Sequence, residues 1–244
     1  MTTQQLKSPF QNKIKIYTDG ADKKSMLEMA ANPYVQGLTT NPSLMKKAGI
    51  SDYVEFCKDI LTTIKTKPIS FEVFADEFSE MKRQALIINK WAENVYVKIP
   101  IMNSKGESCI PLVKELVQAG IKLNVTAIFT WDQIQETVHA VKGGPPSIVS
   151  VFAGRIADSG RDPMPLMSVA ADYCRTYGEQ IELLWASTRE VFNIVQAEQC
   201  GCQIITAPPD VIKKLSGFNR SPLDLSLDTV KTFKADSEAA GFRI

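Results

Sequence analysis

Apolar and β-branched residues gather along the chain in eight short runs, and amphipathic stretches separate them. The runs cover 14–19, 35–41, 69–75, 95–101, 123–129, 147–153, 181–187 and 202–207, each with the length and composition of a strand. Between them, apolar residues recur at helical spacing over 51–65, 76–93, 109–119, 132–141, 163–177 and 189–198, several of these stretches opened by Asp, Ser or Pro. Strand alternating with helix from end to end predicts a parallel sheet with right-handed crossovers. Eight such units in 244 residues predict an α/β fold, a (β/α)8 TIM barrel, as a single domain over 1–244. An open doubly wound sheet is the rival architecture, but no Gly-x-Gly-x-x-Gly follows the first run. Residues 225–240 extend past the eighth unit as an additional C-terminal helix, free to pack on the barrel or on a neighbouring subunit.

Within the runs the two parities differ. Ile14 and Ile16, Phe71 and Val73, Val97 and Ile99, Val149 and Val151, and Leu184 and Ala186 suit a layer facing the helices. The opposite parity holds Tyr17 and Asp19, Thr39 and Asn41, Ser70 and Glu72, Tyr96 and Lys98, Asn124 and Thr126, Ser150, and Ser187. In a barrel that parity points into the lumen. Lumen residues are usually bulky and aliphatic, so polar ones are costly there unless they do chemistry. Seven runs supply them, mostly toward their C-terminal ends, where barrel enzymes keep their active sites.

Composition narrows that chemistry. With 44% apolar and 23% charged residues the chain is ordinary globular protein, and 28 basic against 27 acidic residues give a net charge of +1. No field points to nucleic acid or to an anionic membrane surface. The first ten residues carry no apolar leader core, and no run is long enough to span a bilayer, so a cytoplasmic location is expected. The five cysteines are odd in number and scattered, and Cys200-Gly-Cys202 lacks redox or zinc spacing; free thiols are expected. The single histidine, His139, argues against His-based metal sites and Ser-His-Asp chemistry. It reads as a surface residue, whereas Met26 and Met29 read as core.

Lys98 is the one lysine at mid-strand on the lumen parity. A desolvated amine is partly neutral near pH 7 and attacks a carbonyl to give a Schiff base. Asp19 and Glu72, on two other runs, are the inward carboxylates that could move protons beside it; a plain ion pair with Lys98 is the other reading of each. Asn41, Asn124 and Thr126 suit substrate hydroxyls or a catalytic water, and equally suit hydrogen bonds among barrel residues. Arg155 follows Gly154 after the sixth run, and Arg189 follows Ser187-Thr188 after the seventh. A phosphate there would gain charge-assisted bonds from both arginines and from helix N-terminal amides. The stretch 158–162 reads as polar loop without a role.

Five motifs then combine: Thr39-Thr40-Asn41-Pro42-Ser43-Leu44, Val97-Lys98-Ile99-Pro100, Asn124-Val125-Thr126, Phe152-Ala153-Gly154-Arg155 and Thr229-Val230-Lys231-Thr232-Phe233. With them the chain resembles the transaldolase family, and in length its small-subunit branch, which also holds fructose-6-phosphate aldolases. The resemblance implies the (β/α)8 barrel, no cofactor and no metal. It implies sugar phosphates as small-molecule partners and a homo-oligomer, a decamer among the states open to it. By the same resemblance Lys98 is the Schiff-base lysine, Asp19 the acid/base at the cleavage step, and Glu72 with Thr126 the holder of a catalytic water. Asn41 and Asn124 would bind a dihydroxyacetone moiety, and Ser187, Arg155 and Arg189 a phosphate. Thr39, Ser150 and Phe152 complete the expected substrate-binding set. The sequence departs from the family around Asp19, in Tyr17-Thr18-Asp19-Gly20-Ala21, and at Val151, where proline is usual; both leave substrate preference open.

Aldolases of the branch carry Gln and Tyr where this sequence has Glu72 and Phe152, which tilts the reading toward a transferase. The expected activity is transfer of a dihydroxyacetone unit in the pentose phosphate pathway. Donors would be sedoheptulose 7-phosphate or fructose 6-phosphate, and acceptors glyceraldehyde 3-phosphate or erythrose 4-phosphate. The alternatives are an aldolase that releases free dihydroxyacetone and a non-catalytic sugar-phosphate-binding barrel.

Overall fold

Eight parallel strands, each paired with its neighbours in chain order and the first with the last, close a barrel. They are β1 (Lys15–Asp19), β2 (Val35–Thr39), β3 (Ile69–Glu72), β4 (Val95–Pro100), β5 (Leu123–Ile128), β6 (Ser147–Val151), β7 (Ile181–Trp185) and β8 (Ile204–Ala207). Helices α1 (Lys23–Ala31), α2 (Pro42–Lys47), α3 (Tyr53–Thr63), α4 (Phe78–Ile88), α5 (Ile110–Gln118) and α6 (Trp131–Val141) follow the first five strands. Beyond β6 come α7 (Ala153–Asp158) and α8 (Met164–Tyr177), then α9 (Phe192–Gln199), α10 (Pro209–Lys213) and α11 (Pro222–Ala239). This is the (β/α)8 TIM barrel that the strand–helix alternation predicts, with its extra C-terminal helix. The computed structural model describes residue 11 and residues 13–244, so residues 1–10 and 12 lie outside the described residues.

Two apolar layers hold the barrel. Outside the strands, Ile16, Phe71, Val97, Val125, Val149 and Trp185 pack on helix residues such as Met26, Ile60, Met81, Leu116 and Ile134. Inside the lumen a smaller cluster of Tyr17, Ile148, Leu184, Ala186 and Ile204, flanked by Tyr96 and Phe152, plugs the barrel below the C-terminal mouth. Leu184 and Ala186 thus face inward, opposite to their expected side. The lower lumen is itself apolar, so both faces of β7 are hydrophobic and parity cannot assign them. Gly37 on β2 makes room for the plug: a Cβ there would sit 2.5 Å from the Tyr17 ring.

Local chemistry sets where the strands stop. The expected strand 69–75 ends at Glu72, after which the backbone N–H groups of Phe74 and Ala75 donate to Gln84 Oε1 of α4 at 2.8 and 3.1 Å. The run 35–41 ends at Thr39, because Asn41 turns out to cap α2 and accepts from Leu44 N at 2.9 Å. The short α2, α7 and α10 leave too few residues for a periodic signal. Consequently Asp158, expected in a loop, is the last residue of α7. The five cysteines are all free and buried, Met26 and Met29 are core, and exposed His139 bonds to the hydroxyls of Tyr173 and Tyr177. Among the described residues no helix is long and apolar enough to cross a membrane.

Candidate active site

Parallel register fixes the centre of the site. Glu72 on β3 pairs with Lys98 on β4, and Lys98 pairs with Asn124 on β5, so three inward side chains lie side by side. Lys98 is only 6% exposed. Its Nζ donates to the backbone carbonyl of Thr40 at 2.8 Å and faces Glu72 Oε1 at 3.5 Å. Across the lumen Asp19 closes β1 beside Thr39. It accepts from Thr39 Oγ1 at 3.0 Å and from Asn41 Nδ2 at 3.1 Å. The Asn41 amide cannot turn over without losing both bonds, since its oxygen caps α2 while its NH2 donates to Asp19. Thr39 Oγ1 also lies 2.6 Å from Thr206 Oγ1; with its own proton on Asp19, it accepts from Thr206.

Burial pushes the carboxyls of both Asp19 and Glu72 above the usual carboxylate range, and the Lys98 charge opposes this in each case. At Asp19 the two donated hydrogen bonds oppose it as well; at Glu72 the Asp19 charge adds to it. An amine thus stands among two carboxyls whose burial favours the protonated form, an arrangement suited to proton transfer between neighbouring groups. Glu72 Oε2, Thr126 Oγ1 and Asn124 Oδ1 are buried without a hydrogen-bond partner among the described residues. Buried polar atoms are rarely left so, and Glu72 Oε2 and Thr126 Oγ1 are free to bond a polar group brought beside Lys98.

Above this cluster opens a cavity of ≈ 450 Å³. Its walls include Asp19, Thr39, Asn41, Glu72, Lys98, Thr126, Ser150, Phe152, Arg155, Ser187 and Arg189, which is nearly every residue the sequence singles out. Asn124 does not reach it: fully buried, it donates to Ser70 Oγ at 3.0 Å beneath the floor. Arg155 lies 5.2 Å from the Phe152 ring centre, a cation–π contact that lays the guanidinium along the wall. Arg189 Nε donates to both oxygens of Asp158 at 2.9 and 3.1 Å, and that guanidinium holds the Asp158 carboxyl below its usual range. Two backbone amides that could have served a phosphate are already engaged: Gly154 N donates to Ala186 O and Arg189 N to Asn193 Oδ1.

Sequence reasoning missed three contributors. Thr206 shares parity with inward Ile204, a signal present in the eighth run but not read. Ala127 reaches the wall beside Thr126 because its φ of 59° breaks the β5–β6 register between Val125 and Ile128. Asp158 enters only through the fold. Ser187 was expected on a strand; it lies past the end of β7 and turns into the cavity with φ 65°.

Comparison with known proteins places this geometry. A family model described as Transaldolase/Fructose-6-phosphate aldolase matches residues 16–244. A protein of Methanococcus maripaludis (strain C7) named "Probable transaldolase" is 38% identical over 226 residues, covering 93% of this chain and 98% of that one. One of the same name from Brucella melitensis biotype 1 is 33% identical over 231 residues, covering 95% of this chain and all of that one. Among solved structures, 2,3-dimethylmalate lyase, of the PEP mutase/isocitrate lyase superfamily, is 10% identical with a TM-score of 0.57. It covers 95% of this chain and 85% of its own, and shares the fold alone.

Proposed function

The chain belongs to the transaldolase/fructose-6-phosphate aldolase family, and from that premise we propose that it is a transaldolase working through a Schiff base on Lys98. The observation that carries the reading is the buried Lys98 amine, 3.5 Å from Glu72 and within the field of Asp19, at the floor of a cavity rimmed by Arg155 and Arg189. The amine, in its neutral form, adds to the C2 carbonyl of a ketose phosphate, and the resulting hydroxyl takes a proton from the Glu72 side and leaves as water, giving an iminium on Nζ. Asp19 then takes the proton of the C4 hydroxyl as the C3–C4 bond breaks. The bonding pair flows into the iminium, leaving a three-carbon enamine, and the shortened aldose phosphate departs.

Addition of the enamine to an acceptor aldehyde runs these steps backward, with Asp19 returning its proton. Glu72 and Thr126 hold the water that leaves and later hydrolyses the imine. Their unpartnered Oε2 and Oγ1 fit that task. Asn41 orients the dihydroxyacetone part, with Thr39 and Ser150 beside it. Arg155, Arg189 and Ser187 take the phosphate, and Asn124 acts from below the floor. A transferase must keep its enamine from being protonated before the acceptor arrives. Phe152, an apolar ring on the cavity wall with no proton to give, suits that demand.

The same reading takes 1–244 as one domain of a cytoplasmic enzyme of the pentose phosphate pathway. It also takes the enzyme as a homo-oligomer: α11 buries none of its residues and exposes Leu223, Leu227, Val230 and Phe233, a face that a second copy would cover.

Two experiments test the proposal: borohydride trapping in the presence of fructose 6-phosphate, and, without borohydride, turnover of fructose 6-phosphate with and without erythrose 4-phosphate. We expect a sugar adduct on the Lys98 peptide, little free dihydroxyacetone without acceptor, and many-fold faster donor consumption with it. Lys98→Arg should abolish adduct and turnover. An adduct on another lysine would overturn the assignment, and acceptor-independent release of dihydroxyacetone would make the enzyme a lyase.

A further inference from the structure

The β2–β3 ladder stops two residues before Glu72. Its last partners are Leu38 with Ile69 and Thr39 with Ser70, whereas β3 stays paired with β4 through Glu72 and Lys98. Along a parallel strand, successive residues direct their N–H and C=O groups alternately to the two neighbouring strands. Ser70 O accepts from Thr40 N on the β2 side, and Val73 N donates to Lys98 O on the β4 side. The N–H and C=O of Glu72 therefore face β2, where the chain has already turned away into the Asn41 cap and Pro42.

Tyr53, the first residue of α3, fills that place. Its hydroxyl accepts from Glu72 N at 2.9 Å and donates to Glu72 O at 3.1 Å, so one oxygen replaces the missing strand for both groups. Continuing the ladder would have brought the Thr40 carbonyl to Glu72 N. That carbonyl instead accepts from Lys98 Nζ at 2.8 Å. The ring is fixed from outside the barrel by Phe74, Phe71 and Trp91, with centroids 4.3, 6.4 and 6.0 Å away. Burial pushes the phenol well above its ordinary pKa, so it keeps the proton that it donates.

We propose that Tyr53 is a positioning residue of the active site: by standing in for β2 it fixes Glu72 against Lys98 and releases the Thr40 carbonyl to hold the amine. This rests on the role given to Glu72 above. Tyr53 touches no substrate, because it lies behind the strand and does not line the cavity above Lys98.

The test is a double-mutant cycle of Tyr53→Phe with Glu72→Gln in the full-length enzyme. Tyr53→Phe keeps the ring and loses the hydroxyl. We expect kcat about tenfold lower, the order of the net loss when the hydroxyl's two bonds to Glu72 go, with the KM for fructose 6-phosphate within about twofold because the phosphate groups are untouched. In the Glu72→Gln background the same change should have less than about a twofold effect. Phe74→Leu, which thins the packing around the ring but leaves the hydroxyl, should lower Tm without lowering kcat.

Native kcat in Tyr53→Phe, or an undiminished loss in the Glu72→Gln background, overturns the inference. A Phe74→Leu variant as slow as Tyr53→Phe does the same, because packing alone would then explain the loss. Native turnover in Glu72→Gln would instead remove the role assigned to Glu72 itself, a failure of the functional reading that the single mutant reveals on its own.

Discussion

Gly154 is the position where a single methyl group should do most harm. It is the second residue of α7, and its N–H donates to Ala186 O at 3.3 Å, which draws the ends of β6 and β7 together. Its φ is not in the left-handed region, and alanine in a helix is favoured over glycine by about 0.8–1.0 kcal/mol, so propensity alone predicts that Gly154→Ala stabilises. Sterics predict the reverse. An alanine Cβ would lie 1.7 Å from Ser187 O and 2.7 Å from Ser187 C, both backbone atoms that cannot swing aside. Carbon–oxygen contacts settle at roughly 3.3 Å, so the segment after β7 must retreat by about 1.6 Å.

Overpacking of that kind costs about 1–3 kcal/mol, which outweighs the propensity gain and should lower Tm by a few degrees. Activity should suffer more. The displaced segment carries Ser187 and Arg189, and a misplacement of about 1 Å in a site can cost about a hundredfold in rate. We expect kcat/KM for fructose 6-phosphate to fall by about that factor, with Gly154→Ser equally poor. The assay is steady-state kinetics beside thermal unfolding. Native kcat/KM with an unchanged or raised Tm would refute the close approach of the two strand ends.

Two shorter predictions concern charge. If Arg155 binds the phosphate as proposed, Arg155→Ala removes charge-assisted bonds worth about 1.5–3 kcal/mol, and kcat/KM for phosphorylated donors should drop roughly ten- to a hundredfold. The slow reaction of unphosphorylated dihydroxyacetone should hardly change, and equal loss on both substrates would make Arg155 structural. For Asp19, burial raises the pKa in the folded chain, so folding takes up a proton and the side chain's contribution to stability falls as pH rises from about 4 through the raised value. The Tm of Asp19→Asn should therefore gain on that of the native protein between about pH 4 and pH 8 while turnover is lost; a constant or shrinking gap counts against the raised pKa.

What could be read in advance was whatever depends on period and residue type. All eight strands lie where β-branched runs mark them, and Lys98, Asp19 and Glu72 share the inward parity because period two is a property of the chain itself. Illegible parts depend on a second segment or on a broken period. The plug hides the side of Leu184 and Ala186, since two apolar faces carry no contrast. Ala127 and Ser187 enter the wall through positive φ, which neither residue type announces. The Asp158–Arg189 pair joins residues 31 positions apart, and Tyr53 meets Glu72 across 19. Asn124 shares the inward parity and the register of Lys98, yet its amide is drawn to Ser70 Oγ and does not line the cavity.

Several departures from ordinary folding rules share one address. Among the described residues three non-glycine positions have positive φ; two of them, Ala127 and Ser187, line the cavity, and the third is an asparagine, a residue that tolerates it. The carboxyls raised by burial, Asp19 and Glu72, line it too, as do two of the buried polar atoms left without partners. Each departure alone is unfavourable, and a barrel selected only for stability would fill this layer with the aliphatic residues found just below it. The plug of Tyr17, Ile148, Leu184 and Ile204 is what makes the polar layer possible. It keeps water from entering beneath Lys98, so the amine and the carboxyls meet at low dielectric, where their mutual influence is strong. Stability is concentrated in the lower lumen and the helix-facing layer, and the mouth is left free to be strained, ionisable and incompletely bonded. That division of labour along one set of eight strands leaves the C-terminal end, where the cavity opens, free for the proposed chemistry.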